Sequence, residues 1–354
     1  MGTESRWKNK LDILQDYIAS NPEIYIDMRE ISIPEHLRGR FYEYFDDVRD
    51  TFVKDFFSSL PIDVNTLHDN YIRAEEEIMK CLGIERIDLP VDLMSFLHNP
   101  GEGMVRWLYN RLFELIQKKI TMDEFEEIAE NDLVSTTAEM YRLGYEAWAV
   151  FTLINLLEPV KTHSVELNED FIPIIGELKE IAFGRQFNHS TKRIPEFIIQ
   201  SKKLNCYIAI KMPLAREVDG YYPLHEIPQK MMRDRTGDTS CVLDTRFLFL
   251  SFLKDLNNIP VYAEVHERKV KSPDVMIAFL AEQDTSDKDK IRQTQTRFEI
   301  MKPRLCSGVV IMDTGPDQVL ESFAEGIDMF PTGFEKIKLQ QIVDDLSAKF
   351  NQAC

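Results

Sequence analysis

The sequence predicts a two-part α+β chain: an all-helical domain over residues 1–132, then an α/β domain over residues 133–354 built on a central mixed sheet. Three observations predict it. The chain has 354 residues, and a single hydrophobic core stops growing at roughly 250–300. Up to about residue 160 the apolar side chains recur at the three-and-four spacing of amphipathic helices. After Pro159 the texture changes to short β-branched runs alternating with helical stretches, the pattern of a sheet with helical connections.

Taken in order, Trp7, Leu11, Leu14 and Ile18 space a first helix, and Phe41, Phe45, Val48, Phe52 and Phe56 a second whose stripe reads as core. Asp63 is the expected cap of a third helix that ends before Gly83, and "NPGEG" at 99–103 punctuates before a helix beginning at Met104. Thr121 and Glu124 form a capping box that opens an acidic helix. The last helical segment of this half, 135–159, stops at Pro159. Strands are expected over 161–167, 180–187, 196–200, 206–211, 260–266 and 307–313. Helices are expected over 242–257, 316–327 and 334–350, the last carrying Ile337, Ile342, Val343 and Leu346 on one face.

Composition excludes several classes. Hydrophobic residues make up 44% and charged residues 29%, an ordinary globular balance. No secretory h-region and no run of about 18 apolar residues occurs, so a soluble, cytoplasmic protein without a membrane partner is expected. Five scattered cysteines without a C-x-x-C spacing indicate neither a disulfide framework nor a zinc site. There is no Gly-rich phosphate loop, no HExxH and no G-x-S-x-G.

A net charge of −18 argues against general polyanion binding, but the charge is uneven. Between Lys179 and Lys211 seven basic residues face two acids, and between Lys288 and Arg304 six face two. If they meet, these segments form a basic patch for nucleic acid, with Arg185, His189, Lys192, Arg193, Lys202 and Lys203 as phosphate contacts. The bland reading has the same cations pairing with acids elsewhere.

The stretch "RIPEFIIQSKKLNCYIAIK" at 193–211 joins two β-like runs across a basic linker, Pro195-Glu196 opening the first and Lys211 closing the second. With a helix at 136–157 before it and an expected crossover helix and strand after it, the order resembles the core of the PD-(D/E)XK, or restriction-endonuclease-like, superfamily. That resemblance implies a Mg²⁺-dependent phosphodiesterase acting on nucleic acid. Carboxylates hold the ion, which activates the attacking water, and the lysine orients that water or stabilises developing charge. Residue by residue it implies Glu196, Glu226 and the helical Glu146 on Mg²⁺ and Lys211 at the water. Ala209 stands where the family's second carboxylate belongs, so a substitute must come from Glu217, Asp219 or Glu226. A rival register uses Glu267-x-Lys269 with Asp244 and Asp255 upstream, and Pro273-Asp274 is a literal Pro-Asp in the wrong order. The alternative function is a catalytically inactive nuclease-fold protein serving as a structural or protein-interaction module, with the acidic helical domain facing the partner.

Overall fold

The computed structural model describes residues 6–58, 63–170, 172–182, 192–211, 247–264, 269–281, 287–312 and 326–353. Arg185, His189, Glu217, Asp219, Glu226, Asp244, Glu267 and most of the expected helix 316–327 lie outside them. The chain divides into two compact units, Met1–Asp69 with Val91–Tyr141, and Asn70–Pro90 with Arg142–Cys354.

In chain order the first half contains α1 (Arg6–Ser20), β1 (Tyr25–Ile26), β2 (Ile31–Ser32), α2 (Glu35–Phe57), α3 (Val64–Leu82), β3 (Arg86–Asp88), α4 (Val91–His98), α5 (Pro100–Val105), α6 (Leu108–Ile116) and α7 (Met122–Leu156). The core of the first unit is the aromatic stripe the sequence carries. Trp7 of α1 meets Phe52 of α2 edge-on with centroids 5.1 Å apart and Phe125 of α7 at 5.4 Å, and Phe45 meets Phe113 at 4.4 Å. The helix ends follow local chemistry. Asp63 accepts from the backbone N–H groups of Asn65 and Thr66 at the start of α3, and Gly83 takes φ +68° just past its end. Thr121 and Glu124 exchange the two reciprocal bonds of a capping box, at 3.3 and 2.7 Å. The punctuation at 99–103 starts a short helix of its own, with Asn99 accepting from Glu102 N and Pro100 at its first position.

The second half contains β4 (Pro159–Leu167), β5 (Pro173–Gly176), β6 (Glu180–Ala182), β7 (Lys192–Arg193), β8 (Phe197–Ser201), β9 (Cys206–Lys211), β10 (Phe247–Leu253), β11 (Ala263–Glu264), β12 (Lys269–Val270), β13 (Val275–Leu280), α8 (Lys288–Met301), β14 (Cys306–Ile311), β15 (Ile327–Pro331) and α9 (Lys336–Ala353). Eight strands form one mixed sheet in the order β15-β14-β13-β10-β9-β8-β4-β5. From β5 to β13 every neighbouring pair is antiparallel, while β13, β14 and β15 run parallel. The step from β13 to β14 is made through α8, as a parallel pair requires. Among the described residues three small sheets, β1-β2, β12-β11-β7 and β3-β6, are not hydrogen-bonded into it.

The fold departs from the sequence expectation at several places: residues 1–132 hold the short strands β1, β2 and β3 among their helices, the helices expected from 121 and over 135–159 are the single α7, and of the expected strand 260–266 the described residues give only β11, outside the main sheet. Residues 242–257 do not form a crossover helix where described: Phe247–Leu253 is a strand lying antiparallel between β9 and β13. The run "FLFLSFL" is apolar on both faces because both faces are covered, and a strand buried on both sides cannot be told from a buried helix by periodicity. The expected strand at 180–187 begins as β6, yet it pairs with β3 in parallel and does not join the main sheet.

Gly103 sits where a Cβ would lie 2.8 Å from the backbone of Phe96, so α4 and α5 approach closely only because it has no side chain. Gly103→Ala is expected to lower stability by about 1–3 kcal/mol. Gly39→Ala, at an exposed position of α2 with open space around it, should instead raise it by about 0.5–1 kcal/mol. Urea unfolding of the two variants checks both signs.

Candidate functional site at the β8–β9 hairpin

Antiparallel registers decide which side chains share a face. Ile198 opposes Ala209, Ala209 opposes Ser251, and Lys211 opposes Phe249, which opposes Met276. Directly opposed residues point the same way, and residues two apart along a strand do as well. Ile198, Ala209, Lys211, Phe249, Ser251 and Met276 therefore lie on one face, across four consecutive strands.

Near one end of this row the Lys211 ammonium donates to Glu196 Oε1, with the two side chains only 7% and 8% exposed. The hairpin thus brings together the two residues whose spacing the sequence singles out. Its described surroundings are buried. Ala209 is fully buried in an apolar cluster with Val165, Ile198 and Leu253. One strand over, Tyr262 is entirely buried, packs edge-on against Phe249 at 5.5 Å and donates to Ser251 Oγ at 3.1 Å. Burial pushes the Tyr262 phenol well above its ordinary pKa; the bond to Ser251 opposes this and the charges of Glu196 and Asp274 add to it. The phenol is therefore a fixed neutral donor.

Asp274, of the wrong-order Pro-Asp pair, takes a structural position. Its carboxylate accepts from Phe252 N at 2.6 Å and from Arg304 Nε at 2.7 Å. These bonds fasten β10 and the segment leading into β14 to the start of β13.

The other candidates disperse. Lys202 and Lys203 occupy the turn joining β8 to β9, at the end of the hairpin away from Glu196 and Lys211, and five residues of β8 span about 17 Å. Lys203 pairs with Asp344 at 2.7 Å. Lys192 and Arg193 form β7, in register with Glu264 and Ala263 of β11, outside the main sheet. The backbone of Lys269, of the rival register, lies opposite that of Glu264 in the same small sheet. In the second basic segment, Arg297 is buried over the Phe247 ring and Arg304 bonds Asp274. Glu146 is buried within α7, next to Tyr145, which bonds Thr332 and donates to Gly333 O at 2.8 Å.

Among the described residues, Glu196 and Glu146 belong to no trio of His, Cys, Asp or Glu donors within metal reach; the one such trio is Cys306, Asp328 and Asp345. There burial pushes the Cys306 thiol up to about 12. Sequence reading misses this group because its members lie 22 and 17 positions apart, a spacing that matches no ligand motif.

A buried ion pair is costly to break from one side, because the remaining charge is left uncompensated. Lys211→Met is expected to cost about 3–5 kcal/mol in urea unfolding, and adding Glu196→Gln should recover part of that loss, a double-mutant cycle measuring the coupling. Neither a protein-family model, nor a curated protein, nor a solved structure matches this chain, so its geometry alone carries the functional reading.

Proposed function

We propose that the C-terminal region is a restriction-endonuclease-like scaffold whose hairpin site does not hold a catalytic metal, and that the protein serves as a structural or protein-interaction module. One observation carries this reading: Ala209, at the position of the second metal carboxylate, is sealed in an apolar cluster, while Lys211 beside it is engaged by Glu196. Mg²⁺ demands near-octahedral oxygen ligation and keeps several of its waters. A buried carboxylate bound to an ammonium does not fit that demand.

Support for the scaffold comes from connectivity. The helix α7, the strand β4 and the β8–β9 hairpin follow the family's order, and a helix with a parallel strand, α8 and β14, comes later, after β10 and β13. Support for a protein partner comes from the exposed Tyr25, Met28, Trp107 and Tyr109 of the helical region, since aromatic residues and Met are enriched in interfaces. Nucleic-acid binding is less favoured, because Lys203, Arg304 and Lys211 are each paired with an acid.

Incubation with single- and double-stranded DNA and RNA in Mg²⁺ or Mn²⁺ is expected to give no cleavage above a chelated control. Metal-dependent cleavage abolished by Lys211→Ala would overturn the reading and install the phosphodiesterase. Ala209→Glu sharpens the test. A carboxylate forced into the Val165–Ile198–Leu253 cluster should destabilise the fold by several kcal/mol, on the order of a buried unpaired charge. On this reading Mn²⁺ does not restore the loss; a large Mn²⁺-dependent rise in melting temperature would mean that the metal geometry survives.

A further inference from the structure

A second cluster lies at the β14–β15 edge of the sheet. Cys306 begins β14, Asp328 lies on β15 and Asp345 on α9, and their ligand atoms all fall within 4.8 Å of one another. Gly308 opposes Asp328 in the parallel register, so Cys306, two residues earlier, shares its face. Lys349, one helical turn after Asp345, donates to Asp328 Oδ2 at 2.6 Å and to Asp345 Oδ2 at 2.9 Å.

We propose that this cluster binds a thiophilic divalent transition-metal ion, with Cys306 Sγ, Asp328 and Asp345 as its protein ligands and Lys349 as an internal cation that the metal displaces. An ion pair between Lys349 and the two aspartates needs no sulfur. Here Cys306 Sγ lies 3.4 Å from the same Asp328 Oδ2 that holds the ammonium, so sulfur and positive charge converge on one atom. Three ligands arrive from three separate elements, which chain proximity does not explain.

The donor set selects the ion. A thiolate disfavours Mg²⁺ and Ca²⁺, and one sulfur with two carboxylates suits Zn²⁺, Co²⁺ or Fe²⁺. Metal–sulfur and metal–oxygen distances of about 2.3 and 2.1 Å put tetrahedral ligands roughly 3.5 Å apart, within reach of small side-chain movements. Cys306 is 3% exposed, whereas the Asp328 and Asp345 side chains are 42% and 41% exposed. The sulfur is therefore enclosed and the carboxylate side is open, leaving a fourth position for water. On binding, the S–H bond breaks, a metal–sulfur bond forms and one proton leaves for solvent. Lys349 stays protonated and swings out on its flexible stem, already 31% exposed.

Titrating the purified full chain with Co²⁺ tests this. A sulfur-to-cobalt charge-transfer band is expected in the near ultraviolet, with one proton released per ion. Cys306→Ser should abolish the band, and Asp345→Asn should weaken binding about tenfold or more. Lys349→Met, which removes the competing charge, should tighten it about tenfold. No band in either the parent or Lys349→Met overturns the proposal, as does a band that survives Cys306→Ser. If circular dichroism shows that Cys306→Ser does not fold, the half-exposed Asp345→Asn decides: unchanged Co²⁺ affinity overturns the site.

Discussion

A strand covered on both faces has no place for an uncompensated charge, and the middle of the central sheet is made of such strands. β13 is buried at every position, and β8, β9, β10 and β14 nearly so. Lys211 closes "CYIAIK" inside this layer, so it needs an anion at hand, and Glu196 supplies it. The pair also specifies register. A one-residue slip of β9 against its neighbours would carry Lys211 to the opposite face and bring Ile208 and Ile210 to this one. Tyr262, Ser251 and Asp274 extend the same logic across β10 and β13: each of these three has a partner, and the partners tie one strand to the next.

Much of the architecture is legible in the sequence because local chemistry and tertiary position agree in it. The Phe41–Phe56 stripe, the Asp63 cap, the Thr121–Glu124 box and the Gly83 terminus are each decided within a few residues. β9 spans the same residues that the β-branched run predicts. Legibility fails where a segment answers to distant partners. "FLFLSFL" satisfies helix and strand patterns equally, and its strand identity comes from β9 and β13 pairing on either side. α8 reads in sequence only as a basic segment, because its Thr- and Gln-rich stretch has little apolar periodicity; it is fixed by Asp287 capping and by Phe298 and Met301 packing on the sheet.

The candidate site divides along the same line. That Glu196 and Lys211 meet is readable, since a hairpin with a short turn leaves its outer ends adjacent. What the meeting means is not, because a metal site and a structural ion pair use the same residue types. Burial separates them, and burial depends on Val165 and Leu253, which sequence spacing does not connect to Ala209. The basic segment misleads for a related reason. Charge counted along the chain places Lys203 and Lys211 together, while an antiparallel hairpin sends them to opposite ends.

The two lysine-centred clusters differ in what their lysines can do. Lys211 is enclosed, and removing its charge strands a buried carboxylate, so the pair resists exchange for any other cation. Lys349 bridges two half-exposed carboxylates and can leave without stranding either, since water reaches both. They also belong to different places. Leu250 opposes both Ile210 and Val275, and Val275 opposes Cys306, so Cys306 shares a face with Ile210 and lies on the side of the sheet away from Lys211. β10 and β13 intervene between β9 and β14, a separation of about 14 Å at ordinary strand spacing. A metal at Cys306 therefore has no role to lend to the hairpin: any chemistry it supports is independent of the nuclease resemblance.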